Sequence, residues 1–395
     1  MREPRIRPVI ADLTSSPRLL FVSTYPPTRC GIAGFTQSLI ESLEEIRGER
    51  SDSGVIRLRP GWDDTVHTHQ EVVAEVDVDS AGWATRIATW CNGFDLLWIQ
   101  HEFGIFGPED GIEVLELSRR SPLPVATTLH TVVAKPTDRQ RQIIESLGVS
   151  SELLVVMSQQ AAERLLDVYD IEQGKVHVVP HGAKPSPARL SAVEPGRRPT
   201  IVNWGLIGPG KGLEWGIQAM ARLRHLDPRP RLVIRGTTHP NVKRREGELY
   251  REHLVELVHT LGVEDSVVIE DGYMSPAELD RLVRNADLAL LPYDNSEQVT
   301  SGVLVDAIGA GLPVVATRFP HAVEVLATGA GLIVSQGDDE AMAAAIEQLL
   351  TRPALLRGAA EEARRVGQRF SWPRVAAAYE RLARLVVTRD KTSVA

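Results

Sequence analysis

Short apolar runs along the chain alternate with longer stretches in which apolar residues return every three or four positions. Each short run is bounded by Gly, Pro, Asn or Asp and has the length of a buried strand, and the longer stretches carry the period of an amphipathic helix. Strand, turn and helix repeat many times, which predicts an α/β fold with parallel sheets. The strand candidates are Leu19 to Ser23, Asp95 to Ile99, Val125 to Leu129, Leu153 to Met157 and Val176 to Val179. A polar, proline-rich stretch from Lys184 to Pro199 breaks the rhythm and reads as an interdomain linker. The alternation resumes with Thr200 to Trp204, Arg231 to Arg235, Val267 to Ile269, Leu288 to Leu291, Pro313 to Ala316 and Gly331 to Val334.

Both halves open alike. Leu19 to Gly34 reads strand, turn, glycines, helix, and Thr200 to Gly212 does the same, without any repeat of fixed period. A chain of 395 residues is also too long for one ordinary core. We therefore expect a first unit over 1–185, a second over 186–368, and a closing segment over 369–395. Trp372, Val375, Ala378, Tyr379 and Leu382 recur there at helical spacing, predicting a helix from Ser371 to Val387. Two such units would bring the C-terminal ends of their strands to a shared cleft, where ligands of open α/β sheets bind.

Composition narrows the partners. A hydrophobic share of 43% with 24% charged residues fits an ordinary globular protein. A formal charge of −8 argues against nucleic acid, since a phosphate backbone wants a basic face. The arginines at positions 2, 5 and 7 form a local basic patch that reads as a solvated tail. Cys30 and Cys91 read as reduced thiols. No apolar run follows the N-terminal arginines and none is long enough to span a bilayer, so a cytoplasmic protein without a signal peptide is expected. Peripheral membrane contact stays open.

Five segments carry chemistry. Thr24 to Gly34 (T-Y-P-P-T-R-C-G-I-A-G) is a glycine turn before a helix from Phe35 to Ile46. It either lets backbone approach an anion at a helix start or needs Gly31 for its own geometry. Gln100 to Gly107 (Q-H-E-F-G-I-F-G) follows a strand, so His101 and Glu102 read as loop residues facing the cleft. His130 ends the next strand within T-L-H-T, and His181-Gly182 lies at another strand end. One histidine at a strand end is usually structural; two at neighbouring ends shift the balance toward a site. None of these groups has zinc spacing, so no metal is expected. Trp204 to Gly212 (W-G-L-I-G-P-G-K-G) puts Lys211 in a glycine-rich turn, suited to a diphosphate; Gly212 stands where a P-loop needs Ser or Thr. Finally, Thr300 or Ser301 should start a helix after a polar loop, its hydroxyl capping the helix or bonding an anion. Asp306 lies nearly two turns into that otherwise apolar helix, where a carboxylate either binds a pair of hydroxyls or faces solvent.

In order and spacing these segments resemble the retaining GT-B glycosyltransferases of the family-four, group 1 type, over nearly the whole chain. Gly205 to Gly212 matches the family's G-R-L-x-x-x-K-G segment, and Gln298 to Asp306 spans the position of its E-x(7)-E motif. Phe370 to Trp372 resembles the start of its closing helix, which crosses back to the first domain. The resemblance implies two Rossmann-like, doubly wound domains facing a central cleft. It implies transfer of a hexose from a GDP-mannose or UDP-glucose type donor to a carbohydrate, small-molecule or lipid-linked acceptor, with retention of configuration and without a cofactor. Gly31 would lie beside the phosphates, His130 would line the sugar site, and Lys211 would hold the leaving diphosphate. Asp306 would accept ribose hydroxyls, and Thr300, Ser301 and Gly302 would approach the donor. His101 and Glu102 are acceptor-side candidates.

Two departures stand out. The family's arginine is here Leu206, for which Arg235 is a candidate substitute, and its first glutamate is Gln298. Rival readings are a sugar-nucleotide epimerase or phosphorylase on the same fold, and a non-catalytic sugar-nucleotide-binding partner subunit. A Rossmann oxidoreductase is disfavoured because neither opening turn carries G-x-G-x-x-G.

Overall fold

The computed structural model describes residues 16–48, 52–61, 63, 65–66, 69–184, 196–295 and 297–393. The arginine-bearing N-terminal tail and most of the linker stretch, with the 185/186 boundary in it, lie outside these residues.

Seven parallel strands form the first sheet: β1 (Leu19–Ser23), β2 (Gly54–Arg59), β3 (Val72–Asp77), β4 (Leu96–His101), β5 (Val125–Leu129), β6 (Leu153–Val156) and β7 (Val176–Val178). Their order is β3-β2-β1-β4-β5-β6-β7. Six form the second: β8 (Thr200–Trp204), β9 (Arg231–Arg235), β10 (Val267–Glu270), β11 (Leu288–Leu291), β12 (Val314–Thr317) and β13 (Gly331–Val334). Their order is β10-β9-β8-β11-β12-β13, again all parallel. Strand order reverses between β1 and β4 and between β8 and β11. At such switch points adjacent connections leave toward opposite faces and open a crevice at the strands' C-terminal ends.

Both faces of each sheet are covered, so the central strands are largely apolar. In β1, Leu20 and Val22 pack into one core, while Leu19 and Phe21 pack into another together with Trp98, Trp372 and Tyr379. The closing helix Trp372–Ser393 therefore belongs to the first unit's packing and lies against the helix Gly31–Arg47. The Tyr379 ring lies tilted against the Trp98 ring at 4.7 Å and its hydroxyl shares a hydrogen bond with Thr128. The two crossings between units run side by side: the Ala183 N–H donates to the Phe370 carbonyl at 2.7 Å, and the Trp372 N–H donates to the Ala183 carbonyl at 3.3 Å.

The structure differs from the sequence reading in four places. β2 and β3 were not foreseen, because Arg57 and Glu75 interrupt their apolar runs. Arg57 is fully buried, its guanidinium spread over Asp63, Glu75, Thr28, Thr65 and the Tyr25 carbonyl. β4 runs on through Gln100 and His101, which pair with Thr128 and Leu129 of β5. The first helix starts at Gly31 rather than Phe35, with Cys30 as its cap. Asp306 is the fifth residue of its helix, Gly302–Gly309, hence little more than one turn in.

Candidate active site

Four connections meet at the two switch points: those after β1 and β4 on the first wall, and those after β8 and β11 on the second. They carry the Gly31 turn, Glu102 next to the strand-end His101, the Lys211 turn and the Gln298–Ser301 loop.

On the first wall the Gly31 turn is held from both sides. The Cys30 sulfur accepts from the Ala33 N–H at 3.4 Å and bonds the Thr24 hydroxyl at 3.1 Å, while Arg57 clamps Tyr25 and Thr28 below. Phe35, one turn into the helix, meets the rings of His130 and His181 edge-on, each at 5.0 Å. His130 Nε2 bonds the Gln100 side-chain oxygen at 2.8 Å. Burial, then the neighbouring His181 and His101, lower its pKa to about 3, so the ring is neutral near pH 7. It can donate or accept a hydrogen bond but is not a charged acid.

His101 is a strand residue and fully buried, not a loop residue facing the cleft. Its ring lies against Phe103 and Phe106, and neither nitrogen has a partner among the described residues. Burial lowers its pKa to about 3. Glu102 is half-buried and accepts from the Thr131 hydroxyl, and burial raises its pKa.

On the second wall Lys211 sits in a turn whose shape requires glycine. At Gly212, φ is +58° and a Cβ would fall 2.0 Å from the Pro292 carbonyl oxygen. The Lys211 ammonium lies 4.3 Å from the Tyr293 ring centroid and makes no ion pair with a described residue. The same turn reaches the helix that follows β11, since a Cβ on Gly205 would touch Val303 at 3.5 Å.

Ser301 caps that helix: its hydroxyl accepts from the Leu304 N–H at 3.2 Å, and its own N–H donates to His321 Nδ1 at 2.8 Å. Gly302 leaves room for His181, whose Nε2 would stand 3.1 Å from a Cβ there. The Thr300 hydroxyl is buried without a partner among the described residues, and Gln298 donates its amide to the Thr300 carbonyl. Asp306 is half-buried, has no hydrogen-bond or ion-pair partner among the described residues, and burial raises its pKa from 3.8 to about 7. Arg235 is occupied elsewhere, with Glu278 at 3.1 Å and Glu270 at 3.6 Å.

The two walls touch. Val299, from the second unit's loop, is buried in a core of the first, and the Ser158 hydroxyl donates to its carbonyl at 2.7 Å. Glu297 accepts from the Ala134 N–H at 3.0 Å and pairs with Arg164 at 3.3 Å. Glu324 receives the Gln159 and Gln160 N–H groups, both at 3.1 Å, at the start of the helix Gln159–Val168, where a carboxylate suits the helix dipole. His321, Phe35, Tyr293 and Glu324 escaped the sequence reading; only the helix-start sequence around His321 offered any signal. Among the described residues no group of three or more His, Cys, Asp or Glu side chains could hold a metal ion, and no helix is long and apolar enough to cross a membrane.

Known proteins resemble this chain in sequence and in fold. Residues 198–352, which contain the Lys211 turn and the Gln298–Asp306 segment, match the family described as "Glycosyl transferases group 1". Residues 198–352 are of the group 1 glycosyltransferase type, and the chain has a GT-B fold. Among its relatives is a D-inositol 3-phosphate glycosyltransferase of Rhodococcus opacus, 28% identical over 281 residues, covering 64% of this chain. The match spans 60% of that relative's length. Among solved structures, a glycosyltransferase from Rickettsia africae superposes with a TM-score of 0.73 at 17% identity, over 94% of this chain and 99% of the other. The Anabaena protein Alr3699/HepE in complex with UDP-glucose gives 0.71 at 17% identity, over 95% and 100%. At these identities the solved structures speak for the fold alone.

Proposed function

We propose that the chain transfers a hexose from a nucleotide-diphosphate sugar, of the UDP-glucose or GDP-mannose type, to a hydroxyl of an acceptor held in the cleft, with retention of configuration. The observation that carries this reading is on the second wall. An ammonium without an anionic partner and a half-buried carboxylate without a hydrogen-bond donor occupy two segments that touch at Gly205 and Val303. A diphosphate linked to a ribose supplies both missing partners, an anion for Lys211 and vicinal hydroxyls for Asp306.

In this mechanism the bond from the sugar's anomeric carbon to the phosphate oxygen breaks, and its electron pair leaves with the diphosphate. Lys211 and the Ser301-capped helix start stabilise that charge. The acceptor oxygen attacks on the same face, and its proton passes to the departing phosphate oxygen, so no protein base is needed. His130, bonded to Gln100 and made a weak base by burial, is not needed to take that proton. His130 and the Gly31 turn line the sugar, and the contacts through Val299 and Glu297 hold the walls together and exclude water. The field of Lys211 and the helix start replaces a metal ion. The names of the relatives favour a small hydroxylated acceptor bearing a phosphate.

The test incubates the protein with UDP-glucose or GDP-mannose, with and without a panel of phosphorylated polyols and sugars. Release of nucleoside diphosphate that depends on an acceptor, with a new glycoside of the donor's anomeric configuration, is the expected result. Conversion of donor in the absence of any acceptor would point to an epimerase instead. Tight donor binding without turnover would point to a binding subunit.

A further inference from the structure

We propose that His239 is the second diphosphate-binding side chain of this site: a neutral imidazole whose Nε2–H donates to a phosphate oxygen beside Lys211, making up for the arginine absent at Leu206. This rests on the reading of the second wall as a nucleotide-diphosphate site.

The argument starts from the backbone. β8 and β9 end side by side, and their loops stay paired beyond the sheet. The Ile207 N–H donates to the Thr237 carbonyl at 2.8 Å, and the His239 N–H returns to the Ile207 carbonyl at 2.8 Å. The T-T-H-P segment is thus fastened to the lysine turn itself, and a Cβ built on Gly208 would lie 3.7 Å from the His239 Cβ. The tolerance is tight where the strands diverge, since a Cβ on Gly236 would overlap the Gly205 carbonyl.

The ring's orientation follows from its role as a cap. His239 precedes the short helix Pro240–Glu246, and its Nδ1 accepts from the Asn241 N–H at 3.1 Å. A backbone N–H can only donate, so Nδ1 is the acceptor and the proton of the neutral ring sits on Nε2. Nε2 has no partner among the described residues. Burial first, then the charges of Lys211 and Arg245, hold this imidazole below the usual histidine range. A neutral donor adds a hydrogen bond to the anion without adding repulsion against Lys211. The side chain suggested by sequence for this duty, Arg235, is already neutralised by Glu270 and Glu278. Across the cleft the first wall comes close at the same point: a Cβ on Gly104 would lie 3.9 Å from the Asn241 side-chain nitrogen.

Capping and phosphate binding can be separated. His239→Ser keeps an oxygen able to cap the helix and removes the distal N–H. Calorimetric titration of wild type and His239→Ser with UDP, UMP, GDP and GMP is the experiment. The expected result is a wild-type melting temperature, roughly tenfold weaker binding of the preferred nucleoside diphosphate, and a change under about threefold for its monophosphate. His239→Asn, a second capping variant, gives the same selective loss. Wild-type diphosphate affinity in both variants, or equal loss for diphosphate and monophosphate, overturns the role of His239 while leaving the donor site standing. Failure of the wild-type protein to bind either diphosphate overturns the donor site itself.

Discussion

The charged groups under the first wall of the cleft are paired within the protein, and those of the second wall are not. On the first, Arg57 donates to the Tyr25 carbonyl and the Thr28 hydroxyl beneath the Gly31 turn, His130 is bonded to Gln100, Glu102 is bonded to Thr131, and the His101 ring is held between Phe103 and Phe106. Its histidines are kept neutral by burial. On the second, among the described residues, Lys211 has only the face of Tyr293 and the Asp306 carboxylate has no partner, with its pKa raised to about 7 by burial. Groups left in that state cost stability unless something binds them. Under the proposed function, the neutral first wall would face the sugar, and a charged ligand would complete the contacts of the second.

The largest effect expected from breaking this contrast is on the first wall. Arg57→Ala leaves Asp63 and Glu75 without their shared cation in a buried setting and should destabilise the protein by about 3–5 kcal/mol, read as a fall in urea midpoint. The second wall should behave oppositely. Lys211→Ala removes a cation that has no ion-pair partner, so the melting temperature should hold, while transfer falls by roughly 10²–10³-fold through loss of charge stabilisation on the leaving group. A Lys211→Ala protein that melts early and turns over normally would reverse the assignment of the two walls.

Asp306 should give the smallest effect, and one with a definite sign. Its folded pKa, about 7, lies above the unfolded value, so the folded state holds the proton more tightly through the window between them. Stability therefore falls as pH rises from about 4 to about 7. Asp306→Asn should flatten that slope, by about 1 kcal/mol at a half-buried site, in urea titrations at pH 5 and 8. Ribose hydroxyls favour the ionised carboxylate, so affinity for the nucleotide sugar should climb as pH passes through 7, and Asp306→Asn should remove the climb.

How much of this could be read from the chain follows the same physics. β1, β5, β8, β9, β11 and β13 coincide with apolar runs, because a strand buried on both faces needs nothing but apolar residues. The glycine turns were legible because backbone geometry demands them locally, as at Gly212. β2 was hidden because its central Arg57 finds its partners in Tyr25, Thr28, Asp63, Thr65 and Glu75, and no local pattern announces that. The same holds for His101, read as a loop residue because it follows an apolar run, but buried because β5 pairs beside it. Val299 lies buried in a core more than a hundred positions from the strands that build it. No sequence pattern marks His239, and only the pairing of Ile207 with Thr237 brings it beside the Lys211 turn.

Hydrogen–deuterium exchange, followed with and without UDP-glucose, GDP-mannose and NAD, tests the central claim most directly. A nucleotide sugar should slow exchange at 205–212, 237–243 and 299–306 on the second wall, with little change in the already bonded first wall around 100–104. Protection by NAD, or protection confined to the first wall, would contradict a diphosphate site built on Lys211 and the helix carrying Asp306.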